Sequence, residues 1–134
     1  MDSTTVLVVD DGPEILRMIQ SILTEEGYEV IAVQSAEGAI KIFERPGRRP
    51  DILLTDVVMP GMSGPMLVAH LRRIVPDLKV LFMSAYRDRH VVRQYVTDQG
   101  FHLISKPFTV KDLRLALEAV MKGSESLGQG ESAN

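Results

Sequence analysis

Asp51-Ile52-Leu53-Leu54-Thr55-Asp56-Val57-Val58-Met59-Pro60-Gly61-Met62-Ser63-Gly64 is the stretch that decides the fold of this chain. Ile52 to Thr55 is a short apolar, strand-like run that delivers a carboxylate, Asp56, to its end. Pro60, Gly61 and Gly64 then break the chain. An acidic side chain is thereby left at the C-terminal mouth of a strand, beside a loop. In open parallel sheets that is where ligands bind.

The same unit recurs on both sides of this stretch. Upstream, Val6 to Val9 is a continuous β-branched and leucine run, the pattern of a strand buried on both faces. It ends in Asp10-Asp11, and Gly12-Pro13 opens a helix whose stripe is Ile15, Met18, Ile19, Ile22 and Leu23. Gly27 stops it, and Tyr28 to Val33 reads as a second strand. Ser35 caps a short helix with Ala36, Ala39, Ile40 and Phe43 on one face. Downstream, a third helix from about Pro65 uses Leu67, Leu71, Ile74 and Val75, and Leu78 to Met83 forms a fourth strand ending at Ser84-Ala85. A fourth helix from about Asp88 has Val91, Val92, Tyr95 and Val96 as its apolar side, and Gly100 ends it. Phe101 to Ser105 is a fifth strand that stops at Lys106-Pro107-Phe108. Thr109 and Asp112 form a capping-box pair before the stripe Leu113, Ala116, Leu117, Val120 and Met121. Residues 1–122 therefore read as one domain, and 123–134, rich in Gly, Ser, Glu, Gln and Asn, as a disordered tail.

Strand and helix alternate five times. Such alternation specifies an α/β domain, a parallel sheet with helices on both faces and right-handed crossovers. All five strand C-termini then share one sheet edge, where Asp10, Asp11, Asp56, Ser84 and Lys106 meet. Three carboxylates in one crevice repel, so a divalent cation, a lysine or raised pKa values must offset them. Mg²⁺ suits one or two carboxylates with retained waters. A carboxylate is also a competent nucleophile toward phosphorus. Phosphoryl transfer needs mostly positioning and charge neutralisation, which Lys106 and the Ser84 hydroxyl can supply. Taken singly, each residue is a common turn, cap or boundary residue. Their arrival at successive strand ends in one order is the signal.

Composition narrows the classes. The net charge of −3 argues against a nucleic-acid footprint, and the absence of Cys removes disulfide and thiolate chemistry. No apolar run approaches the roughly 20 residues that span a bilayer, and no signal peptide is visible, so a cytoplasmic location without membrane contact is the default expectation. His70, His90 and His102 are too scattered for a metal site.

Asp10-Asp11, Asp56 with Met59-Pro60-Gly61-Met62-Ser63-Gly64, Ser84-Ala85 and Lys106-Pro107-Phe108 resemble the response-regulator receiver domain of two-component signalling. The resemblance covers about residues 4–122 and implies a flavodoxin-like (βα)5 fold with strand order 2-1-3-4-5. It implies that Asp56 accepts a phosphoryl group from a phosphohistidine on a sensor histidine kinase or phosphotransfer protein. It places Mg²⁺ on Asp11, Asp56 and the Val58 backbone carbonyl, with Asp10 supporting through water, and sets Ser84 and Lys106 on phosphoryl oxygens. The Lys106–Pro107 peptide is expected to be cis. Val57 to Gly64 and Pro76 to Ser84 are also similar to receivers of hybrid histidine kinases, so the chain reads equally as part of a longer protein.

Three departures stand out. Leu103 occupies the place of an aromatic switch residue, so ring rotation there cannot accompany the change at Ser84. Gly12 stands where an acid is common. Val58 and Tyr86 flank the site at positions that tune phosphoryl lifetime, and an apolar Val58 implies slow self-dephosphorylation rather than enzymatic turnover. Leu115 points away from the last helical stripe and offers a partner contact, including a homodimer through the fourth and fifth helices. A phosphatase would want a second acid where Val58 stands, and a flavin carrier would want a phosphate loop where Asp10-Asp11 stand. A degenerate receiver that only binds proteins is the remaining alternative. With no output domain read after residue 122, direct DNA binding by residues 1–134 is not expected.

Overall fold

A computed structural model describes residues 3–85 and 89–123. Among the described residues strands and helices alternate: β1 Thr5–Val9, α1 Pro13–Glu25, β2 Glu29–Val33, α2 Ala36–Glu44, β3 Ile52–Asp56, α3 Gly64–Arg72, β4 Lys79–Ser84, α4 Arg89–Val92, β5 His102–Ser105 and α5 Val110–Met121. The five strands form one parallel sheet of order β2-β1-β3-β4-β5. This is the flavodoxin-like order expected from the sequence.

The uniform apolarity of the central strands has a direct cause. Leu7, Val9, Leu53 and Phe82 face one core layer, closed by α2, α3 and α4. Val6, Val8, Ile52, Leu54, Leu81 and Met83 face the other, closed by α1 and α5. Both faces of β1, β3 and β4 are covered, so period-two alternation of side chains never becomes alternation of polarity. Ser35 accepts from the Gly38 amide at 3.1 Å, and Thr109 and Asp112 exchange two 3.0 Å bonds as a complete capping box.

Several stripes differ from the periodic reading. On α1 the buried residues are Leu16, Ile19 and Leu23, and Met18 is exposed. The stripe is centred about one residue away from the sequence expectation, with Ile15 and Ile22 as its partly buried flanks. Met121 likewise turns outward from α5. The fourth helix is short and runs into a π-turn, Arg93–Thr97, in which the Asp98 amide bonds the Arg93 carbonyl at 2.9 Å. Each π-turn residue advances by less than the α-helical angle, which holds Val92 and Val96 inside and leaves Tyr95 exposed. The expected start of this helix near Asp88, and the tail from residue 124, lie outside the described residues.

Candidate functional site

β1 and β3 are neighbours, as are β3 and β4, and β4 and β5, so the residues ending them converge. Parallel register aligns Val9 with Thr55, Asp56 with Met83, and Ser84 with Ser105. Asp10 follows β1, Asp56 closes β3, Ser84 closes β4 and Lys106 follows β5. The sequence-predicted carboxylates do meet: Asp10, Asp11 and Asp56 carry oxygens within 4.8 Å of one another. Asp10 and Asp56 are 2% and 7% exposed, whereas Asp11 faces solvent.

Lys106 binds the two buried carboxylates together. Its Nζ lies 2.8 Å from Asp10 Oδ2 and 3.1 Å from Asp56 Oδ2. Asp10 Oδ1 accepts from the Gly12 amide at 2.8 Å, which fixes its rotamer. Burial raises the Asp56 pKa above its ordinary value of 3.8; Lys106 opposes that shift and the Asp10 charge adds to it. Burial alone would lower Lys106, but the hydrogen bond to Asp10 and the charges of both acids outweigh it, so its pKa is raised.

Ser84 is 3% exposed, and its hydroxyl donates to the Ala85 carbonyl at 2.9 Å. It is adjacent to the acidic cluster by position, yet its bond is local. Val58 follows two residues after Asp56, with its side chain 45% exposed. The Lys106–Pro107 peptide is cis, as expected. Leu103 is partly buried against the layer closed by α4. A cavity of about 310 Å³ lies between it, Ser84, Val92, Arg93 and Thr97. Tyr86 lies outside the described residues. His70, His90 and His102 stand on three different elements, α3, α4 and β5.

Two glycines named in the sequence contribute in ways that their positions alone did not show. Gly64 is packed so tightly that a Cβ would run into the Asp56 carbonyl oxygen, and its amide bonds the Val57 carbonyl at 2.8 Å. The spacing Pro60-Gly61-x-x-Gly64 is the signal that a close backbone approach follows Asp56. Gly12 supplies the amide that orients Asp10, and a Cβ there would lie 3.2 Å from the same Asp10 oxygen.

The cluster, the strand order and the motifs define a receiver. The response regulator receiver domain family matches residues 6–118, and this chain belongs to that family. The sensor kinase CckA of Brucella abortus is 35% identical over 120 residues, 90% of this chain and 13% of that protein. The chemotaxis protein CheY of Thermotoga maritima is 31% identical over 117 residues, 87% of this chain and 97% of that protein. Among solved structures, the response regulator TrrA of Thermotoga maritima in complex with Mg(2+)-BeF superposes with a TM-score of 0.75 at 29% identity. That superposition covers 87% of this chain and 98% of TrrA. The chain spans about half the length of several transcriptional regulators that it also matches. Receivers of this family are signalling modules that work with histidine kinases or phosphotransfer proteins. Among the described residues, no helix is long and apolar enough to cross a membrane.

Proposed function

We propose that this chain is a phosphoacceptor in a two-component phosphorelay, with Asp56 as the residue modified. The observation that carries the reading is the double ion pair. One lysine spans two buried carboxylates, of which only Asp56 sits at the centre of the sheet edge beside a glycine-opened loop. A carboxylate Oδ of Asp56 would attack the phosphorus of a partner's phosphohistidine. The new O–P bond forms as the P–N bond breaks, and the imidazole leaves with its electron pair. Lys106 Nζ, already at the Asp56 carboxylate, is placed to accompany a phosphoryl oxygen. The Ser84 hydroxyl can exchange the Ala85 carbonyl for another.

The donor set fits a hard divalent cation. Three carboxylates outnumber one lysine, all ligands are oxygens, and Asp11 is open to water. Asp10, Asp11 and Asp56, with the Val58 carbonyl, would hold Mg²⁺. Bound there, it would neutralise charge on the transferring group. The complex of the relative TrrA with Mg(2+)-BeF supports this.

An exposed Val58 offers no polar group to orient a water toward an acyl phosphate, so the modified state should be long-lived. Leu115, 49% exposed on the outer side of α5, is available to a partner or a second copy. The cavity beside Leu103 gives α4 room to respond without a rotating ring. Phosphorylation would then bias a pre-existing two-state equilibrium and so alter partner binding.

The test is intact mass after incubation with acetyl phosphate and Mg²⁺, beside Asp56→Asn. One phosphoryl adduct that needs both Asp56 and Mg²⁺ is expected. A folded wild-type protein that stays unmodified under these conditions, and with a phosphorylated histidine kinase, refutes the reading.

A further inference from the structure

α3 is built unlike the other long helices. Its inner side, Leu67, Val68 and Leu71, is buried as it should be. Its outer side is also apolar: Met66 and Ala69 are exposed, Met62 in the loop before the helix lies beside them while partly buried against the core, and His70 and Arg73 close the row. Met66 is 60% exposed, the largest exposure of any bulky apolar side chain among the described residues. These five residues line a shallow depression of about 330 Å³, at the lower end of the size of ligand-binding clefts.

Charge completes the pattern. No Asp or Glu occurs from residue 57 through 76, in a protein whose net charge is −3. Arg72 is turned away from this face, its guanidinium bonding the Leu78 carbonyl at 2.8 Å and lying 5.0 Å from the Phe101 ring centre. Arg73 and His70 are left as the basic end of an otherwise uncharged row. A solvated helix face would carry mixed charges, and a face meant for anionic nucleic acid would carry more cations. Adjacent methionines beside a single basic end fit a partner helix with an apolar stripe and acidic residues at one end.

We infer that the outer face of α3, Met62-Met66-Ala69 with His70 and Arg73, is a docking surface for an acidic amphipathic helix of another protein. Its location gives the contact a consequence. α3 is pinned at its first residue, where Gly64 packs against the Asp56 carbonyl and bonds Val57, so the occupant sits on a rigid element leading into the acidic cluster. The docking itself does not depend on phosphoryl chemistry at Asp56.

The experiment uses the full chain labelled with ¹⁵N and with ¹³C-methyl methionine. It is titrated with a stapled helical peptide bearing two leucines one turn apart and glutamates at one end, and with the same peptide carrying lysines instead. The acidic peptide is expected to shift the Met62 and Met66 methyls and the Ala69 to Arg73 amides. Met66→Glu should weaken it at least tenfold, and Arg73→Glu should reverse the preference between the peptides. Both changes are on the surface, so the spectrum reports the fold directly. Absence of shifts on α3 up to millimolar peptide, or equal shifts with both peptides, overturns the proposal. So does self-association in sedimentation velocity that Met66→Glu abolishes, which would assign the face to a second copy. Binding to phosphatidylserine vesicles that Met66→Glu abolishes would assign it to a membrane surface and overturns it equally.

Discussion

Replacing Lys106 by Met keeps most of the side chain's length and removes its charge. Lys106 lies 2.8 Å from Asp10 and 3.1 Å from Asp56, and those two acids are nearly buried. Their nearest oxygens lie within 4.8 Å, a distance at which two unit charges repel by roughly 3.5 kcal/mol at an effective dielectric of about 20. The loss of attraction adds to this, and partial protonation of the pair subtracts from it. A destabilisation of about 3 kcal/mol at pH 8 without metal is therefore expected, within the range seen when one partner of a buried pair is removed. In a domain of this size it lowers Tm by on the order of 10 °C. The sign of the pH dependence follows from the acids. Asp56 already has a raised pKa, and without Lys106 it loses the group that lowers it. The penalty needs an ionised Asp56, so it is present above the raised folded pKa of that group and fades as pH falls through it. Urea melts of wild type, Lys106→Met and Lys106→Met/Asp56→Asn, at pH 8 and pH 5, with and without Mg²⁺, read this out. The second substitution, low pH and Mg²⁺ should each recover most of the loss. A destabilisation that none of the three recovers would show that the lysine matters through its stem and not its charge, and the electrostatic account of the site would be wrong.

Asp56→Asn alone should stabilise the metal-free protein near neutral pH, because burial, the largest influence, already disfavours the ionised form. Wild-type stability from this group falls as pH rises from 3.8 through its folded pKa, so the difference between the two proteins should vanish in acid, as paired thermal melts will show. Mg²⁺ at ten times its dissociation constant should stabilise wild type by about 1.4 kcal/mol, and Asp56→Asn by less at the same concentration. Gly64→Ala forces a methyl toward the Asp56 carbonyl and to 3.1 Å from the Phe82 ring, and should cost about 1–3 kcal/mol and slow acetyl-phosphate labelling. Val58→Asn places a polar amide beside the same carboxylate and should shorten the half-life of the phosphorylated protein, measured by loss of the mass adduct. Thr109→Ala removes the hydroxyl half of the α5 capping box and should cost about 1 kcal/mol with labelling at Asp56 unchanged.

The sheet was legible because its strands are buried on both faces. Val6 to Val9 and Ile52 to Leu54 admit no polar residue, and the Asp, Gly and Pro that follow them mark where strand gives way to loop. The acidic cluster was legible for the same reason, since alternation places successive strand ends on one edge whatever the helices do. Helix rotation was less legible. Met18 and Met121 fit the periodic stripes of α1 and α5, but methionine tolerates either environment, and the sheet surface selected Leu16 and Val120 in preference. The π-turn after Val92 was invisible for a different cause. Its widened bonding depends on how Val96 and Phe101 seat in the core, and the Phe101 amide bonds the Val96 carbonyl at 3.0 Å to end it.

The direction of the Ser84 hydroxyl could not be read from sequence either, and it bears on how such a site can switch. Strand order alone places Ser84 next to Lys106, whose amide bonds the Ser84 carbonyl at 2.8 Å. The hydroxyl, however, bonds the next carbonyl in its own chain. A group held by one local hydrogen bond, worth about 1 kcal/mol net, changes partner at small cost. The carboxylates, by contrast, are held by a lysine that two of them share, and they resist displacement. A phosphoryl group on Asp56 would therefore find its counter-charge already fixed and its hydroxyl ligand free to move. Motion at Ser84 would be passed to the cavity between Leu103 and α4, where an aliphatic side chain leaves space that a rigid ring would fill. Ser84 shares its cavity with α4, whereas Asp10, Asp56 and Lys106 are tied to one another. A change of state should therefore appear first in the amides of Val91 to Thr97.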